Sequence, residues 1–370
     1  MKTFDELFVD KTRYCVKVQT SEYKESGSYI IIDQGQSKIA GYTDRETGLF
    51  KEVPVIIFGD HTRVIKYVDQ PFYLGADGVK VLRSKDENAN YKYLYYALKN
   101  VIIPDTGYNR HYKWLKEIQI EYPDSNKQAQ IVNILDKVLD VISKRKEELK
   151  ELDNLIKARF VEMFGDPYVN PLKWKKLKIK DAVTIEPQNG LYKPQSDYVT
   201  DGSGIPILRI DGFYDGMVTD FASLKRLKCS ETERQRYLLL EDDIVINRVN
   251  SIEYLGKCAH IKDLLEDTVY ESNMMRMHFD PEYYNPVYIC KLLCSQFIYD
   301  QIVNHAKKSV NQASINQKDV LDFNIYQPPL DLQNEFANFV QQVDKSKVAI
   351  QKALDETQLL FDSLMQQYFG

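Results

Sequence analysis

Apolar residues recur at alternating steps of four and three along two stretches of the chain. Between Gln128 and Met163 they fall at Ile131, Leu135, Val138, Ile142, Leu149, Leu152, Ile156 and Met163, with Arg145 and Arg159 breaking the run. Between Phe336 and Tyr368 they fall at Phe336, Val340, Val343, Ile350, Leu354, Phe361, Leu364 and Tyr368, with Lys347 and Thr357 as the breaks. A 4-3 spacing kept for about five heptads marks a coiled-coil seam rather than the wider stripe of a surface helix. Each stretch predicts a helix on the order of 50–55 Å long at about 1.5 Å per residue. Neither stretch holds Pro or Gly before its end.

The two stretches are related. Like residues recur 205 positions apart at Pro123 and Pro328, Gln128 and Gln333, Asn133 and Asn338, Val138 and Val343, Leu149 and Leu354, Phe164 and Phe369, and Gly165 and Gly370. The register runs without a gap from Ile120 and Ile325 to the Phe-Gly ends, and Lys113 and Lys318 extend it upstream. Two unrelated heptad helices would not share Pro and Phe-Gly boundaries as well as a seam. The chain therefore reads as a tandem duplication of a globular unit followed by a long helix. The divisions are 1–122 and 166–327 for the globular units, with 123–165 and 328–370 for the helices. Short β-branched runs broken by Gly, Asp and Asn fill both units, among them Ser28–Asp33, Val53–Phe58, Thr62–Val68, Gly78–Leu82, Ile205–Ile210 and Asp243–Arg248. Helices are predicted at Tyr91–Lys99 and from Asn285 to about Asn304. The fold class is thus mixed α+β with largely antiparallel sheet and two long coiled-coil helices.

Length and charge narrow the reading. With 370 residues the chain is long enough for two or three domains. A net charge of −5 excludes a uniformly basic nucleic-acid coat but not a local basic face. Carboxylates at Asp5, Glu6 and Asp10 argue against a signal peptide, and the longest apolar run, Val53 to Phe58, is far too short to span a bilayer, so a cytoplasmic protein with no membrane partner is expected. Of the five cysteines, Cys290 and Cys294 share one helix face. With no His or third Cys near, they read as small buried hydrophobes rather than metal ligands.

Candidate chemistry lies in polar loops that follow apolar strands. In the first unit these carry Gln34, Gln36 and Lys38, then His61 and Arg63, and later Asn109, Arg110 and Lys113. In the second they carry Gln188, Asn189, Tyr192 and Lys193, then Arg248, Asn250, Ser251 and Tyr254, then Ser272 and Asn273, and finally Lys307, Lys308, Asn311 and Gln312. Arg can bond two acceptors of guanine, Asn or Gln can pair with adenine, and hydroxyls hold phosphates. Solvated turns built from the same turn-forming residues are the alternative. The basic run from Lys173 to Lys180 suits phosphate contact or a solvated strand face equally. No Walker loop, HExxH or methyltransferase tetrapeptide is present, and Glu148 with Lys150 forms a solvated helix face, so no catalytic or metal-binding residue is assigned.

Two globular units alternating with two long helices, the Pro-Pro-Leu-Asp-Leu-Gln opening at 328–333, and the Met163-Phe-Gly-Asp-Pro167 ending resemble the specificity subunit of Type I restriction–modification systems over essentially the whole chain. Phe58–Arg63, Gly75–Lys80, Arg248–Ser251 and Tyr270–Arg276 look like target-recognition-domain strings in the order that family keeps. Little precedes the first unit, so any extra N-terminal helical segment is expected to be missing or trimmed. The resemblance implies a non-catalytic subunit whose two recognition domains each read half of a split site on double-stranded DNA. It implies a long antiparallel helix pair that fixes the gap near one helical turn, about 34–36 Å, and docks methyltransferase subunits. The partners would be two copies of an N6-adenine methyltransferase subunit and a motor–nuclease restriction subunit. Methyl donor, ATP and Mg would belong to those partners, with no cofactor in this chain. A coiled-coil scaffold without DNA readout, or a self-contained DNA enzyme, are the alternatives.

Overall fold

The computed structural model describes residues 1–370 apart from Ala76, Tyr108, Asp215, Thr219 and Asn311. Contacts group the chain into two units, one formed by Met1–Glu148 with Ile350–Gly370 and the other by Leu149–Ala349.

Both heptad stretches are helices of 40 residues, Ser125–Phe164 and Leu330–Phe369, so each spans about 60 Å. They begin 205 positions apart and end 205 positions apart. The duplication extends to side-chain detail within each unit. Buried Gln128 donates from Nε2 to the Pro123 carbonyl at 2.8 Å, and buried Gln333 does the same to Pro328 at 2.8 Å. Short helices Tyr112–Leu115 and Gln317–Leu321 precede them, followed by strands Gln119–Ile120 and Asn324–Gln327.

In the first unit, strand Val55–Gly59 is buried along its whole length between Val79–Ser84 and Ile65–Val68, and Phe8–Asp10 completes an antiparallel sheet. The two-residue period sorts its side chains by face. Ile56 and Phe58 pack with Leu82 against Leu94, Ala97 and Leu98 of helix Tyr91–Asn100. Val55 and Ile57 pack with Ile30, Ile32, Phe72 and Leu74 of a second sheet, Gly41–Thr43, Tyr29–Ile32 and Phe72–Leu74. Tyr93 and Tyr96, on the other side of helix Tyr91–Asn100, close over Ile131, Val132, Leu135 and Met365, where the beginning of the central helix meets the end of the C-terminal one. Arg145, one of the two breaks in its seam, donates to the Ala353 carbonyl and to Oγ1 of Thr357, a break in the other.

The second unit holds a six-stranded sheet in the order Val183–Asn189, Met274–Phe279, Ile244–Asn247, Cys258–His260, Gly216–Val218, Phe213–Tyr214. Its pairings are antiparallel except for Gly216–Val218 with Cys258–His260. Phe160, Phe164, Phe336 and Tyr288 form an aromatic cluster beneath it, with Phe164 and Tyr288 ring centres 4.6 Å apart. Lys347 reaches Asp153 at 2.6 Å and Arg159 reaches Glu335 at 3.1 Å. Rising numbers on one helix thus meet falling numbers on the other within this unit, which makes the pair antiparallel.

Two expectations change. The helix predicted from Asn285 to Asn304 is two helices, Pro286–Leu293 and Gln296–His305, because Ser295 takes the extended backbone of an N-cap. Cys294 caps the first of these at the break and is exposed rather than buried. Cys258, distant in sequence, lies beside it, so a third cysteine is near after all.

Phe336 is fully buried and Val348 is 71% exposed on the same helix. Phe336→Ala is expected to cost about 3–5 kcal/mol in urea unfolding, through lost burial and an unfilled cavity. Val348→Ala should stay within about 0.5 kcal/mol of the parent.

Candidate nucleic-acid interface

The site in the second unit is built on the strand Ile244–Asn247, whose side chains are all buried. The chain leaves it at Asn247 and returns at Lys257, closed by Asn247 N to the Lys257 carbonyl at 2.8 Å and Gly256 N to the Asn247 carbonyl at 2.9 Å. Gly256 has φ +77°, and a Cβ there would sit 2.1 Å from Ile302 Cδ1, so only glycine closes this hairpin. Segments from elsewhere in the chain are stitched to it. Arg248 N donates to the Asn273 carbonyl at 2.8 Å and Arg248 Nη1 to the Ser272 carbonyl at 3.1 Å. Val249 and Asn250 pair with Ser314 and Ala313, which pair in turn with Lys307 and Lys308. Ser272 N donates to the Leu191 carbonyl at 3.0 Å, and Gln188 and Asn189 lie in register with Arg276 and Met275.

Gln188, Asn189, Arg248, Asn250, Ser251, Ser272, Asn273, Lys307, Lys308 and Gln312 are thereby drawn onto neighbouring segments. Lys307, Lys308, Gln312 and Asn189 are exposed. Tyr192 is 77% exposed and Tyr254 49%. Lys257 Nζ sits 4.2 Å from the Tyr254 ring centre and 4.8 Å from that of Tyr214. Lys193 is engaged otherwise, paired with Glu233 at 2.9 Å and Asp197 at 3.6 Å, and the Glu233 hydrogen bond raises its pKa. Asn311 lies outside the described residues. Tyr214 escaped the sequence reading. Asn247 is fully buried, and neither side-chain amide atom is hydrogen-bonded among the described residues.

Buried charges hold the strands under this face. Asp243 is fully buried and accepts from Leu240 N at 2.8 Å, Arg276 Nη1 at 3.3 Å and His278 Nδ1 at 3.0 Å. Burial pushes its pKa up despite those partners. Tyr270 Oη donates to the Gln188 carbonyl at 3.0 Å. Burial lowers the pKa of His260, outweighing the Asp242 carboxylate at 2.8 Å.

In the first unit, Gln34 is the connector. Its Nε2 donates to the Asp77 carbonyl at 3.2 Å, its Oε1 accepts from His61 N at 3.3 Å, and its own carbonyl accepts from Thr62 Oγ1 at 2.6 Å. His61 Nδ1 lies 3.2 Å from the Asn109 carbonyl. Gln36, Lys38 and Arg63 line a cavity of about 840 Å³ together with Lys66, Lys92 and Lys99. Arg63 has φ +60° and its guanidinium is tied to Asp105 at 2.7 Å. Arg110 and Lys113 are exposed, with Lys113 Nζ 4.9 Å from the Trp114 ring centre. Among the described residues no group of three or more His, Cys, Asp or Glu is arranged to hold a metal ion, and no helix is long and apolar enough to cross a membrane.

The family model of the Type I restriction modification DNA specificity domain matches residues 2–153 and 171–357. The chain belongs to that family. It is 27% identical over 263 residues to the Type I restriction enzyme EcoKI specificity subunit of Escherichia coli strain K12, covering 67% of this chain and 55% of that protein. It is 30% identical over 151 residues to the EcoR124I/EcoR124II specificity subunit of Escherichia coli, covering 37% of each. The chain spans about half the length of the curated relatives it matches. In fold it is similar to the S subunit of a Type I restriction–modification system from M. genitalium, with a TM-score of 0.58 at 17% identity, covering 100% of this chain and 95% of that one. A second chain, from a structure concerned with complex assembly and conformational transition of the type I R-M system, gives 0.55 at 16%, covering 100% and 99%. The mixed α+β specificity-domain fold with its coiled-coil helices is thus the fold of this chain.

The buried ion network and His260 predict opposite responses to substitution. Asp243→Asn leaves the Arg276 guanidinium buried without its carboxylate and should cost about 3–5 kcal/mol in denaturant unfolding. His260 stays neutral in the fold below the pH, about 6.5, at which an unfolded His protonates. Stability should therefore fall as pH drops below that value, and His260→Gln should flatten this part of the stability–pH curve.

Proposed function

We propose that the chain is a non-catalytic DNA sequence-recognition subunit of a Type I restriction–modification complex. Each globular unit reads one half of a bipartite site on double-stranded DNA, and the paired helices set the gap. The observation that carries this reading is the gathering of amides, cations and exposed tyrosines from four distant segments around the Asn247–Lys257 hairpin. A cationic, amide-rich surface of this kind bonds phosphates while presenting side chains to base edges. The acidic total charge fits affinity concentrated in such patches and shared with partners.

The partners in this reading are two copies of an N6-adenine methyltransferase subunit and a motor–nuclease restriction subunit. Methyl donor, ATP and Mg act on those subunits and not on this chain. Leu155 is 47% exposed and Leu360 50%, and they stand 205 positions apart on the two long helices. Equivalent exposed leucines on duplicated helices suit two copies of one partner docking in equivalent ways. Ile134 and Val141 continue the line of Leu155 at heptad steps and are also exposed.

Selection from a random duplex library, with and without the methyltransferase, tests the reading. A two-part consensus should emerge, whereas absence of sequence preference under both conditions would leave only a scaffold. Arg248→Ala should weaken recognition of one half by roughly 1–3 kcal/mol and leave the other intact. Lys307→Ala with Lys308→Ala should reduce the slope of log affinity against log salt by about 2 without changing the consensus.

A further inference from the structure

Three of the five cysteines meet at the foot of the hairpin in the second unit. Cys258 opens the strand that follows Lys257, Cys290 lies in helix Pro286–Leu293, and Cys294 caps that helix. Cys258 Sγ donates to the Gly256 carbonyl at 3.2 Å, Cys290 Sγ to the Gly216 carbonyl at 3.6 Å and Cys294 Sγ to the Cys258 carbonyl at 3.8 Å. The Cys294 sulfur also meets the thiols of both other residues. Gly216 leaves the room for this, since a Cβ there would lie 3.2 Å from Cys290 Sγ and 3.9 Å from Cys294 Sγ. A cavity of about 330 Å³ opens onto the cluster, lined by Cys258, Cys294, Lys257, Tyr214 and Ser295. The Ser295 hydroxyl in its wall has no hydrogen-bond partner among the described residues.

The three thiols are not equivalent. Cys294 is exposed, while Cys258 and Cys290 are 1% and 2% exposed. Hydrogen bonds from Cys258 and Cys290 hold the Cys294 pKa down. Burial pushes that of Cys258 up, and the hydrogen bond to Cys294 followed by burial pushes Cys290 up. The remaining two lie outside the cluster: burial pushes Cys15 up to about 12 and also raises Cys229. A thiol on a cavity wall whose pKa is held down, beside a buried thiol on another element, is the arrangement of a peroxide-reactive pair.

We propose that Cys294 is a thiol-modification site, oxidised by hydrogen peroxide and resolved by Cys258 into a disulfide. The Cys294 thiolate attacks one peroxide oxygen, so that an S–O bond forms, the O–O bond breaks, and the departing hydroxide takes a proton to become water. The Cys258 thiol then attacks the sulfenic sulfur. The S–S bond forms, the S–O bond breaks, and the hydroxide released takes up the Cys258 proton as a second water. Two thiols are oxidised and one peroxide is reduced. The product ties the strand behind the Asn247–Lys257 hairpin to the turn between the two helices. The chemistry requires no DNA and is therefore independent of the recognition role.

The full-length chain treated with hydrogen peroxide should lose about 2 Da, and a non-reducing peptide map should show Cys258 joined to Cys294. Cys258→Ser should stop at a Cys294 sulfenic acid trapped by dimedone, and Cys294→Ser should yield neither product. In the unmodified protein, iodoacetamide should alkylate Cys294 at least tenfold faster than Cys15 or Cys229, a readout that needs no variant to fold. Equal alkylation rates, oxidation of Cys15 or Cys229 first, or a Cys290–Cys294 link in place of the expected one would overturn the assignment.

Discussion

A helix with an apolar seam along 40 residues can be stable in water only if that seam is covered, and here each long helix covers the other. No seam position named from the heptads is exposed. Leu135, Ile142, Ile156, Val340, Val343 and Leu354 are buried, and Val138, Leu149, Leu152, Ile350, Phe361 and Leu364 are half-buried. The polar breaks do not weaken the arrangement, because they find partners on the opposite helix: Arg145 with Thr357, Lys347 with Asp153, Arg159 with Glu335. A slide by one heptad would strand all three, so the breaks select a register that Leu and Val alone would leave open. Each helix gives one half to each unit, and both globular cores extend onto those halves through Tyr93 and Tyr96 in one unit and Tyr288 in the other.

The features legible in the sequence are those governed by a short repeat. A period of 3.5 displayed the helix pair, and the continuous apolar run from Val53 to Phe58 displayed a strand, which the structure covers on both faces. The offset of 205 displayed the duplication, down to the Gln128 and Gln333 carbonyl bonds. What stayed hidden depends on contacts with no local signal. Ser295 looks like one polar residue in a helical pattern, yet its extended backbone splits the helix. Cys258 looks solitary, yet the strand order places it beside Cys294. Nothing near Arg63 or Lys193 in sequence announces Asp105 or Glu233, and those carboxylates decide how free each cation is.

The same limit applies to the polar face around the hairpin. Its residues come from segments around 188–192, 247–257, 270–273 and 307–314, and they become neighbours only through the pairings of Val249 with Ser314, Lys307 with Ser314 and Arg248 with Asn273. Each segment alone is indistinguishable from a solvated turn. Together they put two exposed lysines beside a hairpin whose foot is anchored in a fully buried strand. Polar side chains on such a hairpin gain from this in any binding, because the hairpin's base is already ordered and that part of the ordering entropy is spent in folding rather than on binding.

The duplication also explains why the two units do not present the same side chains. The 205-residue register covers the short helix, the strand and the long helix in each copy, elements whose packing tolerates little change. Upstream of Lys113 and Lys318 the loops depart from it. In the first unit Arg63 is tied down by Asp105 at 2.7 Å, while in the second Arg248 bonds the Ser272 carbonyl through Nη1 and its buried Nε has no partner among the described residues. Loops carried on a scaffold can vary without disturbing the core that holds them. A chain built this way can vary the loops of each unit while keeping one helix pair.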